Sequence, residues 1–422
     1  MNRRHFLGAS VAAISSTAIR ASAPESASQV TVGIMGMGTR GKALAKALAP
    51  MPGVRIAWLI EPDQGRLGQA GDMIGKLLPK GVKSPQTSDH YQRALDDKGV
   101  DALVVTAPNH WHGPATLMAC AAGKHVFVEK PCCHNPQEGE WMIAAANKHG
   151  RIVQTGTQRR SWTGIQEAMQ RLKEGEIGEL HAAQTWYYSS RGSIGKSTKG
   201  PVPEGLNYRL WEGPAPHREF RSNFLHYNWH WFWHWGNGEL GNNGIHWLDL
   251  ARWGMGVKHP ELSISTGGRY YFNDDQETPD THLVSFEFPG KKMITWEGHS
   301  CQKDPRKDGP DVLFLGSKGR LAISGPGYVV QDPSGKEIAR GKGSSGEGVH
   351  LANFIGAIRG TARLSCPPEE AVPSTLLCHL GNIAHRTNRT LKTDPNSGKP
   401  LEALPEGLWK REYAPGFNLP TG

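Results

Sequence analysis

A β-prone run, Gln29 to Met35, leads straight into Gly36-Met37-Gly38-Thr39-Arg40-Gly41, and a helical pattern follows to about Leu48. Strand, glycine turn and helix in that order constrain the fold more than any other stretch, because each glycine has a separate duty. Gly36 makes the tight turn, Gly38 lets the backbone approach a pyrophosphate, and Gly41 permits close packing of helix on strand. The helix N-terminus, with Thr39 and Arg40, then offers free N–H groups and positive dipole to phosphate oxygens. The order predicts a doubly wound parallel sheet that binds a dinucleotide.

A second strand, Val54 to Ile60, ends at Glu61. A carboxylate there accepts hydrogen bonds from ribose hydroxyls and repels a 2′-phosphate, so NAD is expected over NADP, although Arg66 follows in the next helix. Ala102 to Thr106 reads as another buried strand, ending in Ala107-Pro108-Asn109-His110-Trp111-His112. Lys124 to Val128 reads as the fifth and delivers Glu129-Lys130-Pro131. Ligands of open α/β sheets bind at the carboxyl ends of the strands, so Lys130 falls where an amine can move a proton beside a dinucleotide. Pro131 restricts the turn, and Glu129 is expected to hold the lysine in place.

The glycine turn and Glu129-Lys130-Pro131 together resemble the glucose–fructose oxidoreductase / inositol dehydrogenase / rhizopine catabolism (Gfo/Idh/MocA) family, over residues 29 to about 395. The resemblance implies an α/β plus α+β chain: a Rossmann domain over 29–153, and a large open, mainly antiparallel sheet domain over 154–345 that builds the substrate pocket. Helices around 348–390 would return to the Rossmann domain. Pro108, Asn109 and His112 become nucleotide contacts beside Gly36, Gly38, Thr39, Arg40, Gly41, Glu61, Glu129 and Lys130. Glu176-Ile177-Gly178-Glu179-Leu180-His181 would open the first long strand, Ala182 to Tyr188. Later β-prone runs are 262–266, 282–288, 292–298, 312–316 and 319–324. The tail, 396–422, is irregular and is expected to wrap the surface or a partner subunit.

Gly241-Asn242-Asn243-Gly244-Ile245-His246-Trp247-Leu248-Asp249 resembles the family segment Asp-x-Gly-x-His-x-x-Asp, with Asn242 in place of the first aspartate. Asparagine orients a sugar hydroxyl but does not ionise, so the base is Lys130 or His246. Asp249, three residues on from His246, is one helical turn away and placed to orient the imidazole. Just upstream, Trp229-His230-Trp231-Phe232-Trp233-His234-Trp235 alternates strictly, within a stretch holding half of the chain's 14 tryptophans. Extended, it would face four indoles one way and His230, Phe232 and His234 the other, a sugar-stacking face or a hydrophobic plug. Alternate residues on an extended chain seldom converge on one ion, so no metal is expected. Arg159, Arg160 and Tyr187 join Asn242, Asp249, Trp231, His230 and His234 as candidate substrate contacts. The arginines suit an acidic group, or are simply solvated.

Asn2-Arg3-Arg4-His5-Phe6-Leu7, a short apolar run and Ala21-Ser22-Ala23 have the layout of a twin-arginine export leader over 1–23. The apolar run is too short to span a bilayer, and no cysteine near residue 23 offers a lipid anchor. A periplasmic or secreted protein, exported folded by the twin-arginine translocase, is expected. Three of the cations behind the net charge of +9 lie in the leader, and no Lys/Arg-rich run tracks phosphates, which argues against a nucleic-acid partner. The six cysteines show no C-x-x-C spacing and read as buried thiols.

The reading is an exported NAD-dependent oxidoreductase acting on a secondary hydroxyl of a sugar, glycoside or cyclitol, as a homodimer or homotetramer. Outside the cytoplasm no pool recycles NAD, so the nucleotide should stay bound and be restored in each turnover. One alternative is an NAD-dependent glycosidase working by oxidation, elimination, hydration and reduction. Another, kept alive by Asn242, is a non-catalytic protein that binds nucleotide or sugar on the same fold.

Overall fold

The computed structural model describes residues 29–78 and 81–421, so the expected export leader lies outside the described residues. The first half alternates strand and helix: β1 (Val30–Met35), α1 (Thr39–Leu48), β2 (Val54–Ile60), α2 (Gln64–Leu77), β3 (Gln86–Ser88), α3 (Gln92–Asp96), β4 (Ala102–Val105), α4 (Asn109–Ala121), β5 (His125–Val128), α5 (Pro136–His149) and β6 (Val153–Thr155). The six strands pair in parallel in the order β3-β2-β1-β4-β5-β6. β1, β4 and most of β5 are buried, as strands covered by helices on both faces must be.

Local chemistry sets several boundaries. Asp63 caps α2 by accepting from Arg66 N at 2.9 Å. Asn135 accepts from Glu138 N at 3.2 Å with Pro136 opening α5, and Gly150 closes that helix in a left-handed turn. α1 begins at Gly38 with no side-chain cap, leaving its first N–H groups to a ligand.

The second half follows α6 (Thr163–Lys173) with β7 (Leu180–Ser190), α7 (Tyr208–Glu212), α8 (Ile245–Met255), β8 (Leu262–Gly268), β9 (Thr281–Phe288), β10 (Lys292–His299), β11 (Cys301–Gln302), β12 (Val312–Gly316), β13 (Gly319–Ser324), β14 (Gly327–Gln331) and β15 (Glu337–Gly341). Then come α9 (Glu347–Ile358), α10 (Pro368–Thr387) and β16 (Leu391–Lys392). One sheet runs β15-β14-β13-β12-β7-β10-β9-β8-β16, antiparallel except where β10 meets β7. Its inner face packs on α6, α8 and α10 through Phe286, Phe314, Ile294 and Leu248. α9 sends Leu351, Phe354 and Ile355 into the core of β1 and α1 instead.

The tail packs across the surface of its own chain. Gln137 N donates to Trp409 O, Ala414 N to Pro214 O, and the Tyr413 hydroxyl to Glu138, while Phe417 packs edge-on against Trp111. All six cysteines are unpaired and five are buried. Among the described residues no helix is long and apolar enough to cross a membrane.

Candidate active site

A cavity of about 500 Å³ opens along the carboxyl ends of the parallel strands. Its inner wall is the glycine turn, Glu61 at the end of β2, Thr106 to Asn109 after β4, and Glu129-Lys130 after β5. The turn has no room for side chains. Gly36 stands at φ +92°, and a Cβ there would fall 2.6 Å from Ala107 N. A Cβ on Gly41 would meet Gly36 O at 1.9 Å. With the uncapped start of α1, this cradle fits a pyrophosphate. Glu61 accepts from Met37 N at 2.7 Å and from Asp63 N at 3.3 Å, which fixes its carboxylate at the ribose end. Pro108, Asn109 and His112 line the same wall. The His112 ring is clamped, Nδ1 at 2.6 Å from Pro131 O and Nε2 at 2.8 Å from Ala107 O, and so staples the two turns together.

Lys130 is the point where the two halves meet. Its Nζ donates to the Asn242 main-chain oxygen at 2.7 Å and lies 3.3 Å from Asn242 Oδ1. Asn242 sits on a single π-helical turn, Leu240–Gly244, a distortion frequent at functional sites. Burial lowers the Lys130 pKa, with Arg40 adding to the effect, while Glu129 and Glu239 oppose it. The neutral amine is thereby favoured. Glu129 does not hold the Lys130 ammonium as expected. Its carboxylate pairs with Arg40 Nε at 2.6 Å and accepts the Lys130 backbone N–H at 3.2 Å. Arg40 also pairs with Glu347 at 2.7 Å, tying α1, β5 and α9 together.

The outer wall is one stretch of the second half: Leu210, Trp211, His226, Tyr227, Trp229 and His230. It is stitched to the ribose end of the cavity. Asn207 N donates to Pro62 O at 2.9 Å, Gln64 N to Gly205 O at 3.0 Å, and His226 Nε2 lies 3.0 Å from Asp63 Oδ2.

The expected alternation at Trp229–Trp235 is overturned. Asn228–Trp231 is a 3₁₀ turn, and Trp231, Phe232 and Trp235 are all buried. Aromatic packing of Phe232 and Trp235 with Phe224 and Trp211 outweighs the extended form. His230 lines the nucleotide cavity, whereas Trp231 packs under Arg191. His234 bonds Pro216 O at 2.7 Å and lines a separate cavity of about 650 Å³. Asp249 does not bond His246 but pairs with Arg160, and neither of the two lines the cavity. Arg160 reaches Asp249 through Nε at 2.8 Å and Nη2 at 2.8 Å, both side chains are almost fully buried, and Ser374 also donates to Asp249. His246, Arg159 and Tyr187 are half-buried and do not line the cavity. Burial and the nearby charges of Lys130 and Arg159 hold the imidazole well below its usual range, so it is neutral.

Sequence reasoning passed over Glu239. It is 4% exposed, accepts from Asn243 Nδ2, and lies 4.0 Å from Arg191 Nε. Burial raises its pKa, while Asn243, Arg191 and Lys130 pull the other way. A lone glutamate in a Gly/Asn-rich stretch gave no periodic signal of burial. Tyr227 was also passed over; its hydroxyl accepts from Asn242 Nδ2 at 3.3 Å at the cavity mouth.

The family model described as an oxidoreductase family with an NAD-binding Rossmann fold matches residues 30–157, and the GFO/IDH/MocA C-terminal domain matches 214–322. The chain belongs to the Gfo/Idh/MocA oxidoreductase family. Bacillus subtilis scyllo-inositol 2-dehydrogenase (NAD(+)) is 31% identical over 152 residues, 36% of this chain and 42% of that enzyme. A glycosyl hydrolase family 109 protein of Stenotrophomonas maltophilia is 28% identical over 195 residues, 44% of this chain and 42% of that protein. The chain thus spans less than half the length of each. Among solved structures, the aldose-aldose oxidoreductase of Caulobacter crescentus superposes with a TM-score of 0.63 at 21% identity, covering 86% of this chain and 99% of that one. It shares the Gfo/Idh/MocA fold.

Proposed function

We propose that this protein is an exported NAD-dependent oxidoreductase that acts on a secondary hydroxyl of a sugar, glycoside or cyclitol and keeps its nucleotide through each turnover. The observation that carries the reading is Lys130, half-buried at the end of β5, walling the cavity and bonded to Asn242 of the other half. Bound NAD supplies a hydride acceptor. Lys130 takes the hydroxyl proton of the alcohol as the neutral amine. Asn242, its carbonyls on Lys130 and its amide on Tyr227, aims that amine without ionising. His246, expected to share that proton, does not line the cavity, so the base role falls to Lys130.

Glu61 favours NAD, since its carboxylate repels a 2′-phosphate. The stitched outer wall favours a captive nucleotide, because release requires parting Asp63 from His226. Retention in turn favours a redox-neutral cycle in the periplasm or outside the cell. Ile264, Leu283 and Met293, exposed on the strands of the large sheet, fit a homodimer or homotetramer.

Mass spectrometry of denatured, purified protein tests the cofactor, with NAD expected. A panel of sugars and cyclitols, read by the absorbance of reduced nicotinamide, tests the reaction. No reduction by any of them would defeat it. The family 109 relative favours a second reading, an NAD-dependent glycosidase. Colour released from a 4-nitrophenyl glycoside without added NAD separates that reading from simple oxidoreduction.

A further inference from the structure

The cavity of about 650 Å³ beside His234 shares no lining residue with the nucleotide cavity. One face of α10 lines it, with His379, Asn382, Ile383 and Arg386 recurring at helical spacing. Trp233, His234 and Asn237 line a second side, and the tail from Glu406 to Glu412 lines a third. Its size suits a ligand as large as a monosaccharide.

Three arginines border this cavity, and the fold neutralises one of them. Arg218 sends Nη1 and Nη2 to Glu277 Oε1, each at 3.1 Å, and Glu277 Oε2 accepts from Trp233 N at 2.8 Å. Both oxygens of that carboxylate are therefore engaged. Arg386, exposed to solvent, lies 5.1 Å from the centre of the Trp233 ring and makes no hydrogen bond or ion pair among the described residues. Arg411 reaches neutral groups only, Glu412 O at 3.2 Å through Nε and His134 Nδ1 at 3.3 Å through Nη1. The His134 ring donates through Nε2 to Trp233 O at 3.1 Å, so its Nδ1 is an acceptor and the ring carries no charge. Glu406 and Glu412 also line the cavity, but among the described residues neither stands at ion-pair distance from Arg386 or Arg411.

The same cavity holds acceptors that the protein leaves unfilled. Asn382 is 5% exposed and Asn237 6%. Each donates its Nδ2 to a main-chain oxygen at 2.9 Å, Asn382 to Asn237 O and Asn237 to His134 O, which fixes both amide orientations. The Oδ1 of each is left without a partner. Asn382 Oδ1, unlike Asn237 Oδ1, is not shut off from solvent, so a ligand in the cavity reaches it. Buried polar groups are nearly always paired, and an open amide oxygen asks for a donor such as a hydroxyl.

We propose that this cavity is a second ligand site, separate from the nucleotide cavity, for a hydroxylated organic acid of the sugar-acid class. The carboxylate meets the unneutralised guanidiniums of Arg386 and Arg411. A hydroxyl donates to Asn382 Oδ1, and the Trp233 ring backs the C–H face of the ligand.

Calorimetric titration of the holoprotein with D-glucuronate, D-gluconate, D-glucose, acetate and inorganic phosphate tests the site. The two sugar acids should bind once per chain, about tenfold or more tightly than the other three, and weaken as salt rises. Arg386→Ala and, separately, Arg411→Gln should each weaken them about tenfold with unchanged nucleotide content. Arg386 is exposed, so its loss leaves the fold intact. Lys130→Ala, which alters the nucleotide cavity alone, should bind them as wild type does. Sugar acids that bind no better than glucose, or equally well to Arg386→Ala, would overturn the proposal. Binding lost in Lys130→Ala would also overturn it, by moving the acid to the nucleotide cavity. Acetate or phosphate binding as tightly as the sugar acids would leave a bare anion site and sink the hydroxylated ligand. Each outcome reads binding and not turnover, so the proposal stands or falls apart from the oxidoreductase reading.

Discussion

The Lys130 amine is held by the main-chain carbonyl of Asn242, 2.7 Å away, and only loosely by that residue's side chain, 3.3 Å away. The position of the amine is thus set by backbone from the opposite half, and its proton affinity by burial. Lys130→Ala should keep nucleotide and fold but lose roughly 10²–10⁴ in turnover. Asn242→Asp should raise the Lys130 pKa by placing an anion beside it. The neutral base then appears only at higher pH, and the acid limb of the pH–rate profile moves up. A limb that stays put would exclude Lys130 as the base.

The 3.0 Å contact of His226 with Asp63 closes the outer wall over the ribose end. His226→Ala should speed NAD release by about tenfold, the loss expected for one hydrogen bond to a charged group. Stopped-flow displacement with a fluorescent nucleotide analogue measures it. Unchanged release would mean that this wall does not retain the nucleotide.

Arg160 and Asp249 form a structural pair. Asp249→Asn leaves the buried Arg160 guanidinium only the part-exposed Glu370, 3.2 Å away, as counter-charge, and should cost up to about 3–5 kcal/mol in denaturant unfolding. Nucleotide content per folded molecule should not change. A selective loss of sugar affinity without loss of stability would return Asp249 to the substrate site.

Burial raises the Glu138 carboxyl from its ordinary 4.5 to about 7. Below pH 4.5 both folded and unfolded chains hold that proton, and the group contributes nothing. Between pH 4.5 and 7 the unfolded chain gives up the proton while the folded chain still holds it, so stability falls across that window, by about 3 kcal/mol in all, and levels off above 7. Glu138→Gln should remove this decline, and melting temperatures from pH 5 to 8 should then run flatter and end higher than wild type.

What could be read along the chain was short-range. The glycine turn, Glu61 at the end of β2 and Lys130 at the end of β5 follow from strand patterning and from steric rules that act within a few residues. The antiparallel runs at 312–316 and 319–324 were legible for the same reason. The pattern failed where distant side chains chose between local options. Alternation at Trp229–Trp235 suggested an extended strip, but burying Trp231 under Arg191 and Phe232 with Trp235 in the aromatic cluster goes with a 3₁₀ turn. Spacing placed Asp249 beside His246, yet α8 turns that carboxylate toward Arg160.

Sequence alone determined the dinucleotide cradle and the strand end that carries the amine, because both are set by backbone geometry and by the local order of strand, turn and helix. Tertiary structure decided which charges are satisfied. Arg160 is neutralised by Asp249 and Glu370, Arg40 by Glu129 and Glu347, and Arg159 by no carboxylate at ion-pair distance among the described residues. The cause is electrostatic: the cost of burying a charge depends on counter-charges that only folding brings near, and no spacing along the chain records them.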